Sequence, residues 1–152
     1  MAHRIRALST MVVVAAALAT GCWARPKVAQ WSAPPAYSYD QIWKAVLRAG
    51  AQDGFSVVSS DKDSGVASFR RQEYGGEKKD RERLLAVTVR QAGDGSANVS
   101  ARVTESDFGI VAASLGGLVN EGIVKKFYAT LFEELNLHDA SSRTIQLSNG
   151  SY

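Results

Sequence analysis

The sequence predicts an α+β domain of two layers, a four-stranded antiparallel sheet covered by two helices. Three observations carry this. Two stretches have apolar residues at helical spacing, Tyr39 to Leu47 and Leu118 to Leu135. Four stretches between them alternate apolar and polar residues in the manner of half-buried strands. Glycine-containing turns, Asp61–Gly65 and Gly93–Gly95, join those strands in pairs. Each hairpin has one apolar face, and the helices are what remain to cover it.

The chain opens with "MAHRIR", which carries two arginines and no acid, followed by the uncharged run "ALSTMVVVAAALA" from Ala7 to Ala19 and the small residues Thr20 and Gly21. That order of charge, apolar run and small residues is the pattern of a secretory signal peptide. Thirteen residues fall short of the roughly 20 a spanning helix needs, so cleavage is expected rather than a permanent span. The tetrapeptide Ala19-Thr20-Gly21-Cys22 resembles the lipobox of bacterial lipoproteins, with Ala19 where leucine is usual. The resemblance implies a diacylglyceryl thioether at Cys22 and cleavage between Gly21 and Cys22. A cut by ordinary signal peptidase after "ALA", residues 17–19, is the alternative. Trp23 follows the cysteine where retained inner-membrane lipoproteins carry aspartate, so the resemblance implies the periplasmic face of the outer membrane of a Gram-negative cell. Lipid attachment of this kind holds a protein to a bilayer without spanning it.

Residues 22–37 contain Pro26, Pro34 and Pro35 and are expected to form an extended spacer. Trp23 and Trp31 are expected either in the headgroup layer or packed on the domain. The globular domain is expected over residues 38–137. Its first helix starts at Ser38, where Ser38 and Gln41 fit a capping box, and Tyr39, Ile42, Trp43, Val46 and Leu47 share a face. Strands follow at 55–60 and 66–74, then at 83–90 and 97–104. The last helix, about 115–137, puts Leu118, Val119, Ile123, Phe127, Leu131 and Leu135 on one side, with Val124, Tyr128 and Phe132 widening that face. The polar stretch from His138 to Tyr152 is expected to be a loose tail.

The run Tyr39–Val46, with Gly54-Phe55 and the turn Asp61-Lys62-Asp63-Ser64-Gly65, resembles small bacterial lipoproteins and, more distantly, lipoprotein C of the outer-membrane β-barrel assembly machinery. Those families join a short tether to helix-grip-like domains, in which a helix lies across an antiparallel sheet. The resemblance implies architecture and anchoring rather than a reaction.

Composition narrows the function. Residues 1–21 hold two of the 18 basic residues and none of the 15 acidic ones, so beyond them the basic excess is a single charge. That gives no electrostatic ground for nucleic acid as a partner. His138 stands beside Asp139, where a general base or metal contact is weighed against a cation closing a helix end. A zinc site needs at least three protein ligands, and beyond the leader no second histidine or further cysteine exists, so no metal or other cofactor is expected. "DKDSGV" echoes the start of a calcium loop but has Gly65 where a third ligand belongs and Gln72 at the twelfth position, so a turn is expected. No serine has the surroundings of a catalytic nucleophile, and "GGEKKD" lacks P-loop spacing.

Two stretches are candidates for binding. Arg70, Arg71, Lys78, Lys79, Arg81 and Arg83, with Tyr74 among them, are expected in a long charged hairpin loop over 72–82. Such a loop is either plain wet surface or a docking element for an acidic partner or anionic headgroups. The apolar "FGIVAASLGGLV", residues 108–119, is expected to lead into the last helix or, if exposed, to form an interface, with Gly116-Gly117 as a weak point. The expected function is therefore that of a non-enzymatic, lipid-anchored envelope protein binding another envelope protein. Carriage of a small apolar ligand between sheet and helix is the alternative. Labelled palmitate is expected to enter the natural chain in bacterial cells and not Cys22→Ser; incorporation into both would remove the thioether.

Overall fold

The computed structural model describes residues 27–75, 78–107 and 116–149, with side chains omitted at the margins of these segments. The signal peptide, Gly21, Cys22, Trp23 and residues 108–115 lie outside the described residues. In chain order the elements are β1 (Lys27–Ala33), α1 (Tyr39–Gln52), β2 (Ser56–Asp61), β3 (Val66–Gly75), β4 (Lys78–Gln91), β5 (Ala97–Asp107), α2 (Gly116–Glu134), a 3-10 turn at Ser141–Arg143 and β6 (Gln146–Asn149). The class is α+β as expected, but the sheet has six antiparallel strands rather than four, in the order β2-β3-β4-β5-β1-β6. The two extra strands come from residues read as spacer and tail.

The spacer reading fails at β1 because its alternation has an inward side, Ala29, Trp31 and Ala33, all buried. Trp31 is 2% exposed, packs edge-on against Phe132 at 5.1 Å between ring centroids, and donates its indole N–H to the Ser142 carbonyl at 2.6 Å. It therefore lies inside the domain rather than in a headgroup layer. The tail is held in the same way. Arg143 donates to the Leu137 carbonyl from Nε at 2.6 Å and from a terminal nitrogen, and β6 pairs with β1 from Lys27↔Asn149 to Gln30↔Gln146.

Helix α1 starts where the sequence placed it. The Ser38 hydroxyl accepts from the Gln41 amide at 3.3 Å and Gln41 Oε1 accepts from the Ser38 amide at 2.8 Å, so two donors without intrahelical partners are satisfied reciprocally. Ile42, Trp43, Ala45, Val46 and Ala49 are its buried side. Gly50 is required by close approach, since a Cβ there would lie 2.5 Å from Phe69 Cε1. Helix α2 is described from the Gly116-Gly117 pair and ends at Glu134, three residues before the expected C-terminal end. Its buried side chains are Val124, Phe127, Tyr128, Leu131 and Phe132, all on the face expected, with Ile123 half-buried at its margin. It ends in a Schellman arrangement: Asn136 takes φ +51°, the Leu137 amide donates to the Phe132 carbonyl at 2.8 Å and the Asn136 amide to Glu133 at 3.0 Å. The helix end is thus closed by Asn136, and the capping role considered for His138 is not needed.

Strands β2 to β5 form a continuous meander. The expected loop over 72–82 is largely strand, because β3 pairs with β4 from Val66↔Thr88 as far as Gly75↔Lys78. Charged residues alternate there as regularly as apolar ones do nearer the core, and the ladder tolerates them because they pair across strands. Between sheet and helices the space is filled by Trp31, Phe69, Phe127, Tyr128, Leu85 and Leu131, all almost fully buried. The Tyr128 hydroxyl lies between the carbonyls of Ala29 at 2.9 Å and Val99 at 2.8 Å, on the two strands it covers, and burial pushes its phenol far above the ordinary range.

At the β2–β3 turn, Gly65 has φ +69°, and a Cβ would collide with the carbonyl oxygen of Val89, whose amide donates to the Gly65 carbonyl at 2.7 Å. Gly65→Ala is expected to cost more than about 1 kcal/mol in urea unfolding, since the left-handed conformation is disfavoured for L-residues. Gly93→Ala, where φ is not positive and a Cβ meets nothing within 4 Å, is expected to change stability by less than about 0.5 kcal/mol.

Candidate functional site

The densest group of charges lies on the helix-covered face, at the end of the sheet where β3 stops, β4 begins and β5 stops. Register puts Arg71 opposite Arg83 and Arg83 opposite Glu105; one level further out, Glu73 is opposite Arg81 and Arg81 opposite Asp107. Two arginines directly across from each other repel. Glu73 resolves this by pairing with both, with Arg71 at 2.9 Å and with Arg83 through a short hydrogen bond. Glu105 in turn stands 3.5 Å from Arg81 and 3.7 Å from Arg83 Nε, the latter beyond hydrogen-bond range. The Arg83 side chain is only 9% exposed, so its charge depends on these carboxylates rather than on water.

Arg71 ties this ladder to the end of α1. Its guanidinium donates to the Asp53 carbonyl at 3.0 Å and lies 4.7 Å over the Phe55 ring, a cation–π contact. Asp53 is itself buried; its Oδ1 accepts from the Thr130 hydroxyl at 3.0 Å and stands 3.5 Å from Lys126 Nζ, while Oδ2 has no hydrogen-bond partner among the described residues. The ladder therefore joins α1, the sheet and α2 through groups whose charges compensate. Among the described residues no group of three His, Cys, Asp or Glu side chains is placed to hold a metal ion.

The residues singled out in the sequence separate into different places. Arg71 and Arg83 are inside the ladder. Arg70 lies on the opposite, open face, half exposed and 3.6 Å from Glu82. Tyr74, Lys78 and Lys79 are strand positions near the β3–β4 tip whose side chains are not described. The His138–Asp139 pair does not form a dyad: the Asp139 carboxylate accepts from the Ser141 hydroxyl, from Ser142 Oγ at 3.1 Å and from the Ser141 amide at 3.4 Å. The turn Asp61–Gly65 is held by Asp61 Oδ1, which accepts from the amides of Asp63 at 3.0 Å and Ser64 at 3.3 Å, and the Tyr39 hydroxyl donates to the Lys62 carbonyl at 2.7 Å. Its aspartate is used by its own backbone, as a turn requires.

The sequence reading did not single out the open face of the sheet. Alternate residues of the buried runs emerge there: Ser68, Ala86, Thr88, Ser100 and Thr104, all half-buried, with the exposed apolar side chains of Val66 and Leu84 and the charged Arg70, Glu82, Arg90 and Arg102 on the same face. At its β1 margin, where β6 stops pairing, Gln30, Ser32, Asn98, Ser142, Thr144 and Gln146 line a groove of about 220 Å³ with hydroxyl and amide groups and no charge. The signal was available in the strand alternation, but only a known strand order shows that these positions form one surface. The chain matches no protein-family model, and no curated protein matches it.

Glu73→Gln is expected to destabilise the domain by about 1–3 kcal/mol, because it leaves Arg71 facing a buried Arg83 with only amide compensation. Urea unfolding checks this, and a Glu73/Arg83 double-mutant cycle should show coupling that survives added salt better than that of Arg70/Glu82. Acid sensitivity follows from four exposed aspartates. Asp40 is held below the ordinary carboxylate value by the Lys62 ammonium, Asp61 by Ser64, Asp94 by Ser96 and Asp139 by Ser141 and Ser142. Folded values lie below unfolded ones, so this stabilisation is complete above the ordinary value, about pH 4, and is lost as pH falls through the depressed values. The midpoint of thermal unfolding is expected to hold from pH 6 to 5 and to fall below pH 4, less steeply in Asp61→Asn.

Proposed function

We propose that this chain is a lipid-anchored, non-enzymatic domain of the bacterial envelope, held at the periplasmic face of the outer membrane and presenting the open face of its sheet to another envelope protein. The observation that carries the reading is the N-terminal order of arginines, a thirteen-residue apolar run and Gly21-Cys22. Anchoring confines the domain to the membrane's surroundings and raises its effective concentration beside a neighbouring membrane protein. The half-buried small side chains of Ser68, Ala86, Thr88 and Ser100, with the exposed Val66 and Leu84 beside them, suit close approach by a second protein. The helix-grip likeness fits a sheet covered on one side by two helices. Carriage of an apolar ligand between the layers is the weaker reading, because Trp31, Phe69, Phe127 and Tyr128 fill that space.

A photo-crosslinking residue placed at Thr88 or Ser100 in intact cells is expected to give a discrete adduct with one envelope protein, while the same residue at Ala51, on the exposed side of α1, gives none. Equal labelling at all three positions would overturn the open face as the presenting surface.

A further inference from the structure

Resting on the reading that Cys22 is acylated, we infer that the domain does not hang away from the membrane: the β3–β4 arm, residues 71–75 and 78–84, lies against the bilayer. The argument is one of reach. Ala29 pairs with Ala101, so antiparallel register sets Lys27, the first residue of β1, level with Val103, and Val103 pairs with Leu85 on β4. β1 enters the sheet at that level from the same end at which β3 stops and β4 begins. From Leu85 to Lys78, β4 runs seven residues further outward, about 23 Å of strand rise. From Lys27 back to Cys22 there are five residues, which span at most about 18 Å even when fully extended. The arm is longer than the tether. With the strands upright on the bilayer, a cysteine fixed at the lipid surface brings the far end of the arm to that surface, because a five-residue tether is too short to lift the arm clear.

The composition of the arm is compatible with a lipid surface. Its outermost described pair is Gly75↔Lys78, and in sequence Lys78 and Lys79 stand between Glu77 and Asp80, so the tip is polar and charge-balanced and the contact follows from reach rather than from net charge. Arg71 and Arg83, deeper in the arm, are engaged by Glu73 and are not needed for the contact. The opposite end of the sheet, with the turns after Asp61 and Gln91, then points away from the bilayer.

The test uses the acylated full-length chain in vesicles of phosphatidylethanolamine and phosphatidylglycerol that contain a headgroup-nitroxide lipid. Acylation consumes the thiol of Cys22, so a fluorophore attaches selectively to Lys78→Cys or Asp94→Cys. Several-fold stronger quenching at position 78 than at 94 is expected. Inserting ten Gly/Ser residues between Pro26 and Lys27 should reduce the quenching at 78 toward that at 94. Equal quenching at the two positions in a chain of correct acyl mass overturns the inference while leaving the anchor intact. Quenching at 78 that is absent in pure lipid, with protection there only in native membranes, makes the arm a protein contact and also overturns it. A chain with no acyl mass removes the anchor itself, and the inference falls with it.

Discussion

The burial of Trp31 is the constraint on which the rest of the domain depends. A strand taken from the N-terminal side of the fold is placed between β5 and β6, near one edge of the sheet, and its indole is covered by Phe132 of α2 and by the Ser142 carbonyl. An indole of this size fully removed from water contributes several kcal/mol. Its N–H would make that burial costly if it were left without an acceptor, and a carbonyl 111 residues away supplies one. Tyr128 completes the joint by setting its hydroxyl at the seam between β1 and β5. Three parts of the chain with little order of their own, the first strand, the last helix and the tail, are stabilised by the same few side chains.

At the other end of the same face, charge takes over the role of apolar packing. The rows that run Phe69, Leu85 and Val103 across the sheet give way to Arg71, Arg83 and Glu105, and then to Glu73, Arg81 and Asp107. The change of chemistry lets β3, β4 and β5 extend beyond the cover of the helices without exposing an apolar face, while Arg71 returns to the end of α1 and keeps the extension in register. A buried ion pair is poor evidence of net stabilisation. Here its clearest effect is to specify direction, since only one alignment of the strands puts Glu73 within reach of both arginines.

How much of this was legible in the sequence depends on how local each signal is. The capping box of Ser38 and Gln41, the helices and the four central strands could be read because each is decided within a dozen residues. β1 was hidden by its own composition: its inward positions are mostly alanines, it is bracketed by Pro26 and Pro34-Pro35, and its partners lie more than sixty residues away. β6 has four residues and almost no apolar content, so only pairing identifies it. The charged arm reads as a loop because alternation of charge carries no hydrophobic period. Arg71 and Arg83 read with the other basic residues as parts of a charged loop, but pairing across strands, which one stretch cannot show, gives them an internal role.

The placement of β1 bears on the order in which the sheet can be assembled. The first strand to be delivered has no neighbour until β5 follows, and its other side stays open until the final residues arrive. Loop closure over such distances is slow, because chain entropy must be given up before contacts return it. This topology therefore delays completion of the sheet until nearly the entire chain is available.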